Sequence, residues 1–202
     1  MVNPLPEVAV DAVARPGSDA FNALTDERAR RLLLECCSAP GWAARVVAGR
    51  PYPSADALHG RASAELTDAD VTDGLAGHPR IGEPTGDGSS AREQRRVGDA
   101  NPEARAALAD GNAAYERRFG HVYLVCASGR SAEELLAVLH RRLGNDPATE
   151  RGEVRAELAA INRLRLDARL AELDGGRDGH GHGHGEAPTA GGQGATYRGV
   201  GR

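Results

Sequence analysis

Histidine, glutamate and arginine in a few short constellations give this sequence its chemistry. The first constellation is Gly77-His78-Pro79-Arg80-Ile81-Gly82. Proline disfavours helical backbone in the residue before it, so His78 is expected at a break, with its ring able to face a cleft. Histidine titrates near neutrality and can give or take a proton there; the bland alternative is helix-ending punctuation with an exposed ring. The second is Ser90-Ala91-Arg92-Glu93-Gln94. Ser90 and Glu93 have the S-x-x-E spacing of a capping box, a purely structural use. At a helix N-terminus, the same segment can also attract an anion, with Glu93 and Gln94 as adjacent polar contacts. The third is Tyr115-Glu116-Arg117-Arg118-Phe119-Gly120-His121-Val122-Tyr123-Leu124-Val125-Cys126-Ala127. Its nearly continuous apolar part, Phe119 to Ala127, predicts a strand or a buried extended segment. Unpaired backbone there could read a flat, amide-rich ligand; the plain alternative is core. Cys126 has no activating partner beside it and reads as inert filling.

Two further groups complete the candidates. Arg165, between Leu164 and Leu166, could grip a carboxylate with both arms of its guanidinium, although Arg163 and Arg169 nearby suggest a solvated helix face. His180, His182 and His184 alternate with glycine in a segment that could bind a divalent metal such as Ni or Zn. No scaffold holds their geometry, so no catalytic metal is expected.

The elements that must position these residues are mostly helical. Ser18, Thr25, Ser54, Thr67 and Ser131 read as N-caps. Ala29, Leu32, Leu33 and Cys36 recur at helical spacing behind Thr25, and Pro40-Gly41 is expected to end that helix. Trp42, Val46 and Val47 start another, stopped by Gly49 and Pro51. Val71 and Leu75 share a face behind Thr67, closed by Gly77 and Pro79. A polar, glycine-rich loop is expected from Gly82 to Ser89, then helix from Ser90 to Arg117, interrupted near Asn101-Pro102. Ser131 opens a helix through Leu139 that ends at Gly144. Glu150 is expected to begin the last one, with Val154, Leu158, Ile161, Leu164 and Leu170 on its apolar face.

Composition agrees and excludes. At roughly 150 residues per domain, 202 residues make one domain with surplus chain. Aromatics are only 3%, so the core must be built mainly from Ala, Leu and Val, which suits close-packed helices. All 25 basic residues are arginine, which rules out a lysine Schiff base or a P-loop lysine. A net charge of −4 argues against a nucleic-acid partner. No apolar run is long enough for a membrane span, and Met1-Val2-Asn3-Pro4 does not open a secretory signal. Cys36, Cys37 and Cys126, odd in number and without a CxxC spacing, suggest reduced thiols in the cytoplasm. The expected organisation is an irregular N-terminal arm (1–17), a helical domain (18–173) and a disordered Gly/His-rich tail (174–202).

The order of these motifs is more specific than any one of them. His78-Pro79-Arg80-Ile81-Gly82, Ser90-x-x-Glu93-Gln94, Tyr115-x-x-Arg118-Phe119-Gly120-x-x-Tyr123-Leu124-Val125-Cys126-Ala127 and Glu153…Glu157…Ile161…Leu164-Arg165-Leu166 resemble the OHCU decarboxylase family of urate degradation over residues 18–170. OHCU is 2-oxo-4-hydroxy-4-carboxy-5-ureidoimidazoline. The resemblance implies a compact all-α domain of that family's type, usually a homodimer, and a decarboxylation giving (S)-allantoin without cofactor or metal. It places His78 on the catalytic histidine, a proton donor. Glu93 is expected to act with His78 on the 4-hydroxyl and the ring. Pro79, Ser90 and Gln94 fall on substrate-contacting positions, Tyr123, Leu124, Val125, Cys126 and Ala127 on the backbone lining the ligand, and Arg165 on an arginine near the substrate. His121 departs from the family's aromatic Phe, which puts stacking there in question. The alternative is a helical ligand-binding or interaction module whose His/Gly tail handles metal.

Overall fold

The computed structural model describes residues 18–83, 89–95 and 102–178. The arm, the centre of the glycine-rich loop and the three tail histidines lie outside the described residues. Within them the chain is helical and contains no strand. Helix α1 (Ser18–Asn22) is short, and α2 (Asp26–Cys36) starts at Thr25, whose side chain accepts from the Arg28 N–H. Pro40 does not end α2. That helix stops at Cys36, before an extended Cys37, and Pro40 opens α3 (Pro40–Ala48). Proline suits the first helical position because the N–H it lacks would be unpaired there anyway. Ser54 caps α4 (Ala55–Ala64), and Thr67 forms a reciprocal capping box with Asp70 at the start of α5 (Asp68–Ala76).

A five-residue helix, α6 (Ser89–Glu93), precedes the long α7 (Pro102–Phe119). Ser131 and Glu134 box the start of α8 (Ala132–Arg142). The last helix, α9, runs Pro147–Asp178. It begins ahead of Glu150 because Asp146 accepts from the N–H groups of Ala148 and Thr149 at 2.9 and 3.0 Å. It also continues past Leu173 to Asp178, into the stretch that glycine content marks as disordered. None of the described helices is long and apolar enough to cross a membrane.

Two cores result. Helix α9 packs against α1, α2, α4 and α5, and Phe21, Leu33, Trp42, Leu58 and Leu158 are wholly buried in this first core. The Trp42 indole N–H donates to the Ala62 carbonyl at 2.7 Å, so its one polar atom is answered. The second core lies between α7 and α8, around Leu108, Tyr115, Leu135 and Leu139. At Gly111 a Cβ would stand 2.5 Å from Leu139 Cδ2, so only glycine admits this approach of α8 to α7.

The run after α7 is extended but pairs with no strand, because helices cover it. It is a seam between the cores. Leu124 and Cys126 pack on the first; Tyr123, Val125 and Ala127 pack in the second. Successive side chains of an extended chain point to opposite sides, which gives this alternation. Gly120 (φ +77°) and Gly129 (φ +78°) bracket the seam in the left-handed region that glycine reaches without strain.

Candidate active site

His78 follows the end of α5, held by its own N–H on the Leu75 carbonyl at 3.1 Å. Its Nδ1 lies 2.7 Å from the Gly74 carbonyl. A carbonyl oxygen only accepts, so Nδ1 carries the proton and Nε2 of the neutral ring is a bare acceptor. Nε2 is buried and has no hydrogen-bond partner among the described residues. Burial holds the His78 pKa below its ordinary 6.5; the charge of Arg165 adds to this, while the Gly74 carbonyl and Glu93 oppose it. The resting ring is therefore neutral at pH 7.

The turn after His78 is tied down from several sides. The Gly82 N–H donates to Gln94 Oε1 at 3.0 Å, and Asn112 Nδ2 donates to the Ile81 carbonyl at 2.8 Å. Arg80 grips the Glu116 carboxylate of α7 through Nε and Nη2, at 2.5 and 3.0 Å. Across from His78, Arg165 of α9 forks onto Glu93, with Nε 2.7 Å from Oε1 and Nη2 3.0 Å from Oε2. The same guanidinium donates to Ser90 Oγ at 3.2 Å and to the Cys36 carbonyl at 3.0 Å. Ser90 and Glu93 do not form a capping box with each other: both side chains turn to Arg165. The Arg165 guanidinium is thus occupied by groups of its own chain, among them the Glu93 carboxylate and the Ser90 hydroxyl.

These groups surround a narrow cavity of about 10 Å³, room for one water. His78, Pro79, Ser90, Glu93 and Gln94 line it together with Tyr123, Leu124, Val125 and Ala127. A ring the size of an imidazole does not fit in this volume. A second depression of about 160 Å³ is also lined by Glu93 and Arg165, with Ser89, Ser128, Leu164 and Ala168.

The expected residues separate into those that line the cavity and those that do not. Cys126 is among the latter. Its N–H donates to Glu157 Oε2 at 2.9 Å, its side chain packs on the first core, and burial raises the thiol pKa. His121 also lies elsewhere. It meets Tyr115 edge-on, centroids 5.5 Å apart, and lines a different pocket of about 380 Å³ with Arg118 and Val154. Its departure from phenylalanine therefore leaves the cavity wall unaltered. Sequence reasoning assigned no site role to Ile81 and Ile161, which line the cavity, nor to Asn112, which holds the turn. Ile161 carried a signal: it lies four residues before Arg165, hence on the same helix face. Asn112 carried none.

A neutral histidine acceptor, an arginine-held carboxylate and a buried stretch of extended backbone, brought together by helices, form a candidate site suited to acid–base work. The chain matches the OHCU decarboxylase family model over residues 22–167 and belongs to that family. It is 29% identical over 150 residues to the uric acid degradation bifunctional protein TTL of Arabidopsis thaliana, covering 68% of this chain and 45% of that protein. It is 46% identical over 55 residues to the 2-oxo-4-hydroxy-4-carboxy-5-ureidoimidazoline decarboxylase of Amia calva, covering 27% and 31%. The match thus spans less than half the length of these curated relatives. In fold, it resembles an OHCU decarboxylase crystallised in the presence of (S)-allantoin, with a TM-score of 0.62 at 24% identity over 73% of this chain and 99% of that one. An (S)-allantoin synthase structure gives 0.56 at 14% identity, over 75% and 53%.

Proposed function

We propose that this chain is a carboxy-lyase that converts OHCU to (S)-allantoin and CO2 in urate degradation, without a cofactor. The observation that carries the reading is the buried, unpartnered Nε2 of a neutral His78, on a residue that lines the same cavity as Glu93 and Ser90. Losing CO2 breaks the bond between C4 and the carboxylate. Its electron pair moves into the C4–C5 bond and onto the nitrogen of the neighbouring imine, which takes up a proton. The substrate is its own electron sink, so the protein needs only to orient it and move protons.

A neutral ring refines the expected role of His78. It is a relay before it is a donor: Nε2 accepts the 4-hydroxyl proton, then delivers a proton to C5 of the enol from one face, which sets the S configuration. Glu93 orients the hydroxyl, and Arg165 holds Glu93 in place. Pro79 and Gln94 shape the wall, and the strip from Tyr123 to Ala127 faces the ring. The reading includes a homodimer in the cytoplasm, as the family resemblance implies; light scattering on the purified chain measures the oligomer. It also confines the work to the helical domain, so truncation after Asp178 and treatment with a chelator should both leave the activity intact.

A coupled assay tests the proposal. Urate is oxidised and hydrolysed to OHCU, and the optical activity of the allantoin is followed by circular dichroism. The wild-type chain should accelerate formation of the S enantiomer, and His78→Asn should not. Racemic allantoin at the uncatalysed rate with the wild-type chain would end this reading.

A further inference from the structure

An extended segment inside a helical protein must satisfy its backbone without a sheet. In extended backbone the N–H and C=O of one residue point to one edge, and those of the next residue to the other. Along 124–126 the two edges are treated differently. On one edge the Leu124 carbonyl accepts from Arg142 Nη1 at 2.7 Å, and the Cys126 N–H donates to Glu157 Oε2 at 2.9 Å. Those two side chains, from α8 and α9, supply the donor and the acceptor that a neighbouring strand would supply. On the other edge stand the N–H and C=O of Val125. Both belong to a buried residue that lines the cavity, and neither has a partner among the described residues. Buried backbone groups are rarely left unpaired unless something else pairs them.

The two side chains are themselves held rigidly. Arg142 is wholly buried, with Nε and Nη2 at 2.9 and 2.5 Å from Glu150 Oε1, and its guanidinium lies 5.0 Å from the Tyr123 ring centroid. Asn145 Nδ2 donates to the other Glu150 oxygen at 2.8 Å. The free oxygen of Glu157 lies 3.4 Å from Arg130 Nη1.

We propose that Arg142 and Glu157 are positioning residues: by holding one edge of the 124–126 backbone they fix the other edge, with the Val125 N–H and C=O, against the ligand that the family resemblance sets along 123–127. This inference rests on the proposed function for the identity of the ligand, but not for the geometry of the grip.

The test uses Glu157, because removing wholly buried Arg142 endangers folding. Glu157→Ala removes the acceptor; Glu157→Gln keeps an oxygen for the Cys126 N–H. Amide hydrogen exchange at Cys126 and the kinetics of OHCU decarboxylation are measured on the full chain. In Glu157→Ala the Cys126 amide should exchange faster and KM should rise about tenfold, the size of one lost hydrogen bond to a charged group, with kcat changed less. Glu157→Gln should stay within about twofold of wild type in both readouts. Unchanged Cys126 exchange in Glu157→Ala would overturn the grip. Faster exchange with unchanged KM would overturn its role in reading the ligand, as would equal losses in the Ala and Gln variants. If the wild-type chain does not turn over OHCU, the proposed function fails separately, and (S)-allantoin becomes the probe. Protection of the Val125 amide by saturating (S)-allantoin in wild type and Glu157→Gln, but not in Glu157→Ala, then supports the inference; any other pattern rejects it.

Discussion

Around α9, the first core is mostly hydrocarbon: Phe21, Leu33, Trp42, Leu58 and Leu158 are buried in it, and the one polar side-chain atom among them, the Trp42 indole nitrogen, donates to the Ala62 carbonyl. Between α7 and α8, the second core buries Arg142 and Glu150 completely, beside Tyr115 and Tyr123. Hydrocarbon would have filled that space more cheaply, because a buried ion pair recovers little more than its own desolvation. The difference lies in what each core must hold. The first positions helices, whose backbone is already paired. The second also positions extended backbone, whose Leu124 carbonyl needs a donor. The wholly buried Arg142–Glu150 pair stands where the seam needs a donor, and the cavity lies along the same seam.

Four substitutions probe that contrast. His78→Ala acts at the seam and in neither core. It should lower kcat at least 100-fold, the usual weight of a proton-transfer group, and leave the unfolding midpoint near wild type in a thermal melt. Glu150→Ala strips the partner from buried Arg142. It should cost about 3–5 kcal/mol in denaturant unfolding and also raise KM, because Arg142 holds Leu124. Leu58→Ala in the first core should cost about 2–5 kcal/mol but leave KM unchanged below its melting transition; a raised KM there would erase the contrast. Gly111→Ala forces a methyl against Leu139 and should cost about 1–3 kcal/mol, read by the same unfolding assay.

The smallest effect is on pH dependence. His78 must be neutral to accept a proton, and burial lowers its pKa. Activity should therefore hold from neutrality to below pH 6.5 and fall only as the ring protonates. Glu93 raises this pKa, so Glu93→Gln should move the acid limb of its residual activity further down. A profile that rises on acidification through this range would make His78 a donor from the start.

Much of this was legible in the sequence. Thr25, Ser54, Thr67 and Ser131 cap helices as their types and spacing require, because capping is a local reaction of a side chain with the next turn. Pro40 and Glu150 misled at boundaries, where a proline can open a helix as well as follow one and where Asp146 offered an earlier cap. The spacing of Ser90 and Glu93 predicted a local box, but Arg165, far along the chain, took both side chains. The apolar run to Ala127 was extended as its composition suggests; that it would lack a strand partner depended on which helices covered it. Arg142 read as one of several arginines closing a helix. Nothing within its own helix marks it as the residue that reaches Leu124.

The brackets at Gly120 and Gly129 fix the reading frame of the seam. Between them, odd and even positions belong to different halves of the molecule, as a slip of one residue in a strand would exchange its two faces. Inserting a single alanine after His121 would present Leu124 and Cys126 to the α7–α8 side and Tyr123 and Val125 to the α9 side. Inserting two would restore the order and strain only the ends. A chain with one added residue should lose hydrogen-exchange protection across α8, and a chain with two should recover much of it. The spacing from glycine to glycine is therefore under a constraint of parity, stricter than any on the length of an ordinary loop.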